Sequence, residues 1–432
     1  MSLRAHSAWV GVAVFAATAA SGCGGGGSSS GGGGPSRAVA PAAAAVSSDG
    51  RYAALELSRN DLMGYRDVVV IDVQSGDTTL ASGNPAGASS NGDSYIASIS
   101  SDGRYVAFVS SSTDLVDGLV GGGWNVFRRD VVSGVTDLVS ATPEGGYGDG
   151  GSGAPRISPD GRYVAFESVA DDLVADDTNG VDDVFVRDMS TGVTTRVSVD
   201  SLGTQANATS GWSDFTLETL GLPDLSADGR FVVFSSWASN LVDGDDNAAA
   251  DVFLHDMKTG ETRRVSVDST GAEGFDVSMA PVITSDGRYV AFVSRCDFDA
   301  TGGGGFFEAY RHDTETGETH LVSAFTGGGC AHGDSQMVTL SDDGRFAAFD
   351  SDAEDLGPGH PYGTDDVFLH DCDTGATTRV EPVPDQVEYF PTISADGRYL
   401  FYGSFDRDTS SRYAMYVYDR STGTSEFLAD TM

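Results

Sequence analysis

Two loops of the chain carry acidic and amide side chains at one alternating spacing. Clustered oxygen donors are the ligands that Ca²⁺ prefers, and DTNG at 177–180 is similar to the opening of a calcium loop. The bidentate glutamate that completes such a loop is missing, and Asp and Asn also favour loops by bonding their own backbone. The sequence thus predicts either calcium sites or polar turns, and it suggests no other cofactor and requires none. The candidate ligands follow the pattern D-x-N-x-x-x-D and are Asp177, Asn179, Asp183, Asp245, Asn247 and Asp251.

Histidines are the other side chains that could hold a metal or move a proton. His255, His312 and His370 occupy one repeat position, just before a turn aspartate. We therefore expect them to lie apart, because ligands of one ion must all approach it to about 2 Å. His332 and His360 are left for acid–base or metal chemistry, and no G-x-S-x-G nucleophile elbow occurs in the repeats at 41–432.

These residues lie in a sequence that repeats seven times. Each unit opens with a corner such as SPDGRYVAF at 158–166, and a second signature such as DVFVRDMSTGVTTRVS at 183–198 follows. The corner glycines are Gly50, Gly103, Gly161, Gly229, Gly287, Gly344 and Gly397, and the glycines of the second turn are Gly76, Gly134, Gly192, Gly260, Gly317, Gly375 and Gly423.

Each unit reads as four short strands joined by tight turns. Asp-Gly is a strong hairpin signal, because glycine takes the positive φ that the turn needs. Seven four-stranded units predict an all-β, seven-bladed β-propeller of antiparallel blades, since an unclosed sheet of this size would leave edges exposed. The chain begins at a first strand and ends at a fourth, so we expect packing between the first and last blades to close the ring.

The corner SPDGRYVAF followed by the DVFVRDMSTG hairpin resembles the propeller repeats of the TolB family, which are similar to WD repeats. The resemblance covers Pro41 to Met432 and implies a propeller, but such propellers host many activities. TolB carries a further domain before its propeller, whereas a short tether precedes the repeats here. The resemblance therefore implies the fold and leaves a TolB-like role open.

The propeller predicts two unlike faces. Both stereotyped turns lie on one face, where we expect each corner arginine to pair with a turn aspartate, so that these residues are structural. The connections from strand two to strand three and from blade to blade lie on the other face, which we call the variable face, and binding sites usually occupy such loops. The candidate ligand-binding residues there are Trp124, Trp212, Trp237, Phe306, Phe307, His332, His360 and Tyr362.

The N-terminus predicts export. Residues 1–22 have the proportions of a signal peptide, with an apolar stretch at 8–20 that is too short to span a bilayer. The sequence ASGC at 20–23 resembles the lipobox of bacterial lipoproteins, which implies lipidation of Cys23. Residues 23–40 then form a Gly/Ser-rich tether, and the propeller occupies 41–432. We expect a protein lipid-anchored to the bacterial cell envelope, facing the periplasm or the surface; cleavage without a lipid is the alternative.

The net charge limits the classes of binding partner, and the cysteines predict a disulfide. The net charge is −39, which disfavours nucleic acid and anionic lipid, so we expect membrane contact only through the lipid. In an oxidising compartment a disulfide between Cys296 and Cys330 is expected, because both lie on the variable face beside blade five; Cys372, on the other face, is expected to be free.

Three functions remain open. We expect a monomeric, non-catalytic scaffold that binds a protein, peptide or glycan of the envelope. The alternatives are a carbohydrate-active enzyme, either a polysaccharide lyase or a hydrolase, and a calcium-stabilised structural component of the envelope.

Overall fold

Seven separate four-stranded sheets make up the molecule. The computed structural model describes residues 45–59, 64–119, 121–211, 222–299, 305–357, 365–380, 386–406 and 413–430. Within these ranges no helix is long and apolar enough to cross a membrane. Blade one contains β1 (Ala45–Val46), β2 (Tyr52–Ser58), β3 (Arg66–Asp72) and β4 (Thr78–Leu80); blade two contains β5 (Ser94–Ile99), β6 (Tyr105–Ser110), β7 (Asn125–Asp130) and β8 (Val135–Leu138); blade three contains β9 (Ser152–Ile157), β10 (Tyr163–Ser168), β11 (Asp183–Asp188) and β12 (Val193–Arg196).

The remaining blades follow the same order. Blade four contains β13 (Asp224–Leu225), β14 (Phe231–Ser236), β15 (Asp251–Asp256) and β16 (Glu261–Arg264); blade five contains β17 (Ser278–Ile283), β18 (Tyr289–Ser294), β19 (Glu308–Asp313) and β20 (Thr319–Leu321); blade six contains β21 (Ser335–Leu340), β22 (Phe346–Ser351), β23 (Asp366–Asp371) and β24 (Ala376–Arg379); blade seven contains β25 (Gln386–Ile393), β26 (Tyr399–Asp406), β27 (Tyr413–Asp419) and β28 (Thr424–Asp430).

Every blade is an antiparallel sheet whose strands pair in the order of the sequence. This confirms the predicted all-β, seven-bladed propeller of four-stranded antiparallel blades. Among the described residues, blade one is built from β1–β4 and blade seven from β25–β28, so neither contains a strand from the other end of the chain. In this part of the chain the contact between the first and last blades is therefore made by packing and loop hydrogen bonds rather than by a shared strand.

The stereotyped corner is held by a short hydrogen-bond network that explains its sequence. In blade three the Ser158 hydroxyl donates to Asp160 Oδ1 at 2.6 Å, and the amide of Arg162 donates to the same oxygen at 2.9 Å. Gly161 takes φ +74°, and a Cβ there would lie 2.2 Å from Cδ2 of Tyr105 in the preceding blade. Glycine is thus needed for both the turn and the approach of the neighbouring blade.

The corner arginines pair with the turn aspartates in all seven blades, as predicted. The N–O distances are 2.7–2.9 Å, and each guanidinium also lies 4.4–4.9 Å from the centre of the aromatic ring that follows it. In blade three the hydrogen bond from Arg162 holds the pKa of Asp188 well below its usual range. The pairs are Arg51–Asp72, Arg104–Asp130, Arg162–Asp188, Arg230–Asp256, Arg288–Asp313, Arg345–Asp371 and Arg398–Asp419.

The apolar core is divided among the seams between blades. Each of the seven seams has its own cluster of buried side chains among the described residues. In blades two to seven an aromatic ring of the second strand stacks on one of the third; Phe166 and Phe185, for example, lie 5.7 Å apart. Burial of this apolar surface is the main force that holds neighbouring blades together.

Candidate functional site

The variable face carries most of the described aromatic side chains that are exposed. Trp237, in the connection from β14 to β15, is 42% exposed, and Phe306, in the connection from β18 to β19, is 41% exposed. Phe275, between blades four and five, is 73% exposed and was not singled out from the sequence, because it stands in a loop with no motif. These three belong to successive variable-face connections along the chain.

Two other predicted aromatic residues, Trp124 and Phe307, are less exposed and so have less surface to offer a ligand. Trp124 is half-buried and packs on Tyr95, with ring centres 4.8 Å apart. Phe307 is half-buried too, and the Arg295 guanidinium lies 4.5 Å from its ring centre. The candidates Trp212, His360 and Tyr362 lie outside the described residues, as does Cys23.

His332 forms a histidine–aspartate pair at the surface of the variable face. Its Nδ1 lies 2.6 Å from Asp355 Oδ2, and its backbone amide donates to Asp355 Oδ1 at 3.0 Å. Partial burial of the Asp355 carboxyl raises its pKa, but the hydrogen bonds from the side chain and the backbone of His332 act in the opposite direction, and the pKa is lowered overall. The arrangement orients the imidazole and leaves it exposed, so His332 can contact a ligand.

The acidic loop of blade three holds an arginine among its carboxylates. Arg196 Nη1 lies 2.6 Å from Asp177 Oδ1 and 3.5 Å from Asp183 Oδ2. Asn179 directs its amide nitrogen, not its oxygen, to Asp183 at 2.7 Å. The guanidinium therefore supplies the positive charge here, and an ion bound by these residues would have to displace it.

Blade four repeats the arrangement with one more acid. Arg264 Nη1 lies 3.3 Å from Asp251 Oδ2 and 3.7 Å from Asp245 Oδ1, and it also contacts Glu273. The carboxylates of Asp245, Asp251 and Glu273 have oxygens within 4.8 Å of one another. Burial, and then the charge of Asp251, raise the pKa of Asp245 to about 6. Asn247 again donates its amide to Asp251, at 3.1 Å. Calcium binding by either loop stays a prediction.

Sequence reasoning missed the arginines that pair with these acids. Arg196 and Arg264 follow the TG turn, and Arg379 takes the same place in blade six, 2.5 Å from Asp366. The signal was present: an arginine near the end of the fourth strand occurs in the blades whose third strand begins with Asp after an acidic loop. Pairing this arginine with the acid of the third strand requires the register between strands three and four, which the sequence does not give.

The three repeated histidines are structural, in line with their shared repeat position. His312 Nδ1 lies 2.9 Å from Thr319 Oγ1, which donates at 2.6 Å to the carbonyl of Val267 in the preceding blade. Arg187 of blade three makes the equivalent contacts, to Thr194 Oγ1 and to the Ala141 carbonyl. Histidine and arginine thus serve one purpose at this position, which is to bridge neighbouring blades.

No disulfide joins Cys296 to Cys330, contrary to prediction. Cys296 is buried in the apolar cluster between blades four and five, and Cys330 is partly buried and packs against the same cluster. Cys296 Sγ instead lies 3.2 Å from the carbonyl oxygen of Asp276 and accepts from its amide at 3.1 Å. Cys372 carries a free thiol, as expected, and burial raises its pKa to about 11.

One groove lies on the face of the stereotyped turns. It has a volume of about 470 Å³ between blades three and four and is lined by Tyr163, Asp188 and Arg230 among others. A smaller groove of about 260 Å³ lies beside Arg230 and Glu261. Both are lined by residues of the repeated corners and second turns, so we interpret them as clefts of the repeat rather than as a dedicated site.

Comparisons with known proteins support the fold. Neither a scan against protein-family models nor a search of curated proteins gave a match. Among solved structures, one from a study of two prolyl endopeptidases aligns at 14% identity and a TM-score of 0.56, covering 91% of this chain and 50% of that one. An oligogalacturonate lyase from Vibrio parahaemolyticus aligns at 15% identity and 0.53, covering 88% and 90%. A TolB structure from Agrobacterium tumefaciens aligns at 18% identity and 0.41, covering 68% and 84%.

These likenesses are structural and distant. The chain spans half the length of the prolyl endopeptidase chain that it matches. At such low identity the peptidase and lyase structures show only that the chain has a β-propeller fold of the kind that they contain. They do not distinguish among the activities of those proteins.

Proposed function

We propose that this protein is a non-catalytic binding propeller of the bacterial cell envelope, which holds a protein, peptide or glycan on its variable face. The observation that carries the proposal is the exposure of Trp237, Phe275 and Phe306 on successive connections of that face. Binding sites are usually built on the connections of a rigid scaffold, and aromatic side chains are among the anchors that dominate binding energetics.

A basic protein or peptide is the ligand that matches this face best. The chain has a net charge of −39, so the field around it attracts cationic partners and repels anionic ones. The exposed aromatic rings add apolar contact and cation–π contact with Arg or Lys. Glycans, whose CH faces also stack on aromatic rings, are the second ligand class.

The proposal includes export and anchoring. Signal cleavage before Cys23 and lipidation of that residue would place the propeller at the end of a flexible tether, as a monomer. Replacement of Cys23 by Ser should move the protein from the membrane fraction to the soluble fraction, as detected by immunoblot. Continued retention in the membrane fraction would refute lipid anchoring.

The binding role is tested with matched surface variants. The full chain is assayed by biolayer interferometry against purified envelope proteins, basic peptides and a glycan array. A triple variant, Trp237→Ala, Phe275→Ala and Phe306→Ala, should weaken binding by at least about tenfold, as for loss of hot-spot anchors. The control variant, Val132→Ala with Val193→Ala, removes exposed apolar groups from the other face and should leave Kd unchanged.

Catalysis is the outcome that would replace this proposal. Turnover of a polysaccharide by the wild-type chain, abolished by His332→Ala, would indicate a carbohydrate-active enzyme. Binding that is lost in the valine control but kept in the triple variant would move the site to the opposite face.

A further inference from the structure

The connection that follows blade four brings a third carboxylate to the acidic loop of that blade. Glu273 stands there in the place that Gln205 takes after blade three, because each forms a β-bridge with a valine earlier in its own connection. The backbone amide of Asp246 donates to Glu273 Oε1 at 3.2 Å, as the amide of Thr178 does to Gln205 Oε1 at 3.2 Å. The two blades therefore differ at this position by one negative charge.

The arginine of blade four is shared among more carboxylates than the arginine of blade three. In blade three Arg196 Nη1 lies 2.6 Å from Asp177 Oδ1. In blade four Arg264 Nη1 contacts Glu273 instead and lies 3.7 Å from Asp245 Oδ1, which is beyond hydrogen-bond distance. Because one guanidinium faces three carboxylates, the cluster in blade four keeps an excess of negative charge.

Asp245 is the least satisfied member of this cluster. Its side chain is only 3% exposed, yet none of the residues that the structure describes donates a hydrogen bond to it. Its carboxylate faces that of Glu273, so that two groups that can only accept hydrogen bonds lie against each other. Such a buried contact is unfavourable unless a proton or a cation lies between the two carboxylates.

The oxygens of the cluster are spaced as the ligands of one ion. One oxygen from each of Asp245, Asp251 and Glu273 lies within 4.8 Å of the other two. Calcium binds oxygen at about 2.3–2.6 Å, so ligands on opposite sides of one ion lie about 4.6–5.2 Å apart. Asp251 is buried, whereas the Glu273 side chain is 18% exposed, so water can complete the coordination from the Glu273 side.

We infer that Asp245, Asp251 and Glu273 bind a divalent cation of the calcium type, and that the acidic loop of blade three does not. Glu273 supplies, from the following connection, the glutamate that the loop sequence itself lacks. Arg264 Nη1 must move aside for the ion, and it is held less closely to the loop aspartate than Arg196 is in blade three. The site does not depend on the binding role proposed above.

Calcium titration of the full chain tests the inference. After treatment with a chelator, CaCl₂ should raise the melting temperature and should bind at one site by calorimetry, with a Kd on the order of 10⁻⁴–10⁻³ M as in extracellular calcium modules. Glu273→Gln copies blade three, so it should fold, and it should weaken binding by at least about tenfold because a charged ligand is lost. Gln205→Glu gives blade three the same carboxylates and should raise the number of sites from one to two.

A matched control and two contrary outcomes complete the test. Asp177→Asn removes a carboxylate from the acidic loop of blade three and should leave the calcium response of the wild type intact. If the wild type binds no calcium by calorimetry, a proton between Asp245 and Glu273 balances the cluster and the inference is wrong. A response that survives Glu273→Gln but is lost in Asp177→Asn would also overturn it, in favour of the loop of blade three.

Discussion

Carboxylates in the acidic loop of blade three are balanced by the guanidinium of a nearby arginine. Asp177 and Asp183 resemble calcium ligands in sequence, yet a guanidinium from the same blade lies among them. A buried ion pair contributes little net stability, but removing one partner leaves an uncompensated charge in a medium of low dielectric constant. We therefore expect Arg196 to be needed to balance the charge of Asp177 and Asp183 in blade three.

Replacement of Arg196 by leucine, the residue of blades two and five, tests this interdependence. We expect Arg196→Leu to lower the free energy of unfolding by about 3–5 kcal/mol, as measured by urea denaturation. Adding Asp183→Asn, which copies the Asn125 and Leu138 pair of blade two, should recover part of the loss. An unchanged free energy in the single variant would show that the network contributes nothing to stability.

The bridging histidines predict how stability responds to acid. Burial, and to a smaller extent the charge of Arg263, lower the pKa of His312 from 6.5 to about 4, whereas Asp313 acts in the opposite direction. The unfolded chain therefore binds a proton that the folded chain does not, so stability falls as the pH drops from 6.5 to about 4 and then levels off.

His312→Arg isolates that contribution, because arginine makes the equivalent bridge in blades two and three. The variant should fold, and its free energy of unfolding should fall less steeply with pH between 6.5 and 4 than that of wild type. Denaturation at several pH values measures the slope. Identical slopes would mean that His312 does not titrate differently in the folded and unfolded chains.

Within a blade, the turn glycines have two different reasons to be glycine. Gly161 combines φ +74° with a neighbouring ring, whereas Gly260 has φ +75° and nothing within 4 Å of an added Cβ. The left-handed conformation alone costs a residue with a side chain about 1–2 kcal/mol. Overpacking adds typically about 1–3 kcal/mol.

Gly161→Ala should therefore destabilise the protein more than Gly260→Ala. We expect a loss of about 1–2 kcal/mol for the second and about 2–5 kcal/mol for the first, measured by urea denaturation. In a double-mutant cycle, Tyr105→Ala should reduce the cost of Gly161→Ala by making room for the new methyl group. Equal costs for the two glycine variants would show that the contact with the previous blade is unimportant.

Turns were predictable from the sequence because Asp-Gly and Thr-Gly encode their own geometry, and seven copies of each define the blades. The innermost strands were less predictable. Ile96, Ala154 and Ala280 each take a positive φ there, next to a shift in strand register, and no glycine marks the place. In blade two the Ile96 amide donates to the buried Glu56 Oε1 of blade one at 2.7 Å. Such a bond joins elements distant in sequence, so no local pattern could reveal it.

The ring is closed at its ends by corner contacts that also join other neighbouring blades. The Ala395 amide of blade seven donates to the Ser48 carbonyl of blade one at 3.1 Å, as Asp342 does to Ala395 at 2.8 Å one seam earlier. Tyr399 likewise approaches Gly50 to 3.0 Å from an added Cβ. The closing seam thus uses the same corner contacts, and among the described residues blades one and seven share no strand.

The apolar part of this seam is small among the described residues. Its buried members are Leu55, Val69 and Ile71 from blade one and Met415 from blade seven, whereas the seam between blades five and six has thirteen. Local opening follows local burial, so amide hydrogen exchange should show lower protection in blades one and seven than in blades four to six. Equal protection around the ring would mean that some other contact reinforces the closure.

Met415→Ala tests closure directly, because it removes the one described side chain that blade seven buries fully in this seam. Loss of a buried methionine costs about 2–5 kcal/mol. If the ring is closed by packing, hydrogen exchange should speed up in β2 and β3 as well as in β27, although β2 and β27 lie at opposite ends of the sequence. Val186→Ala, in the seam between blades three and four, is the control. It should speed up hydrogen exchange in β11 more than in β2, whereas Met415→Ala should speed up exchange in β2 more than in β11. Faster exchange confined to blade seven would show that blades one and seven do not stabilise each other and that the propeller ring is open in solution.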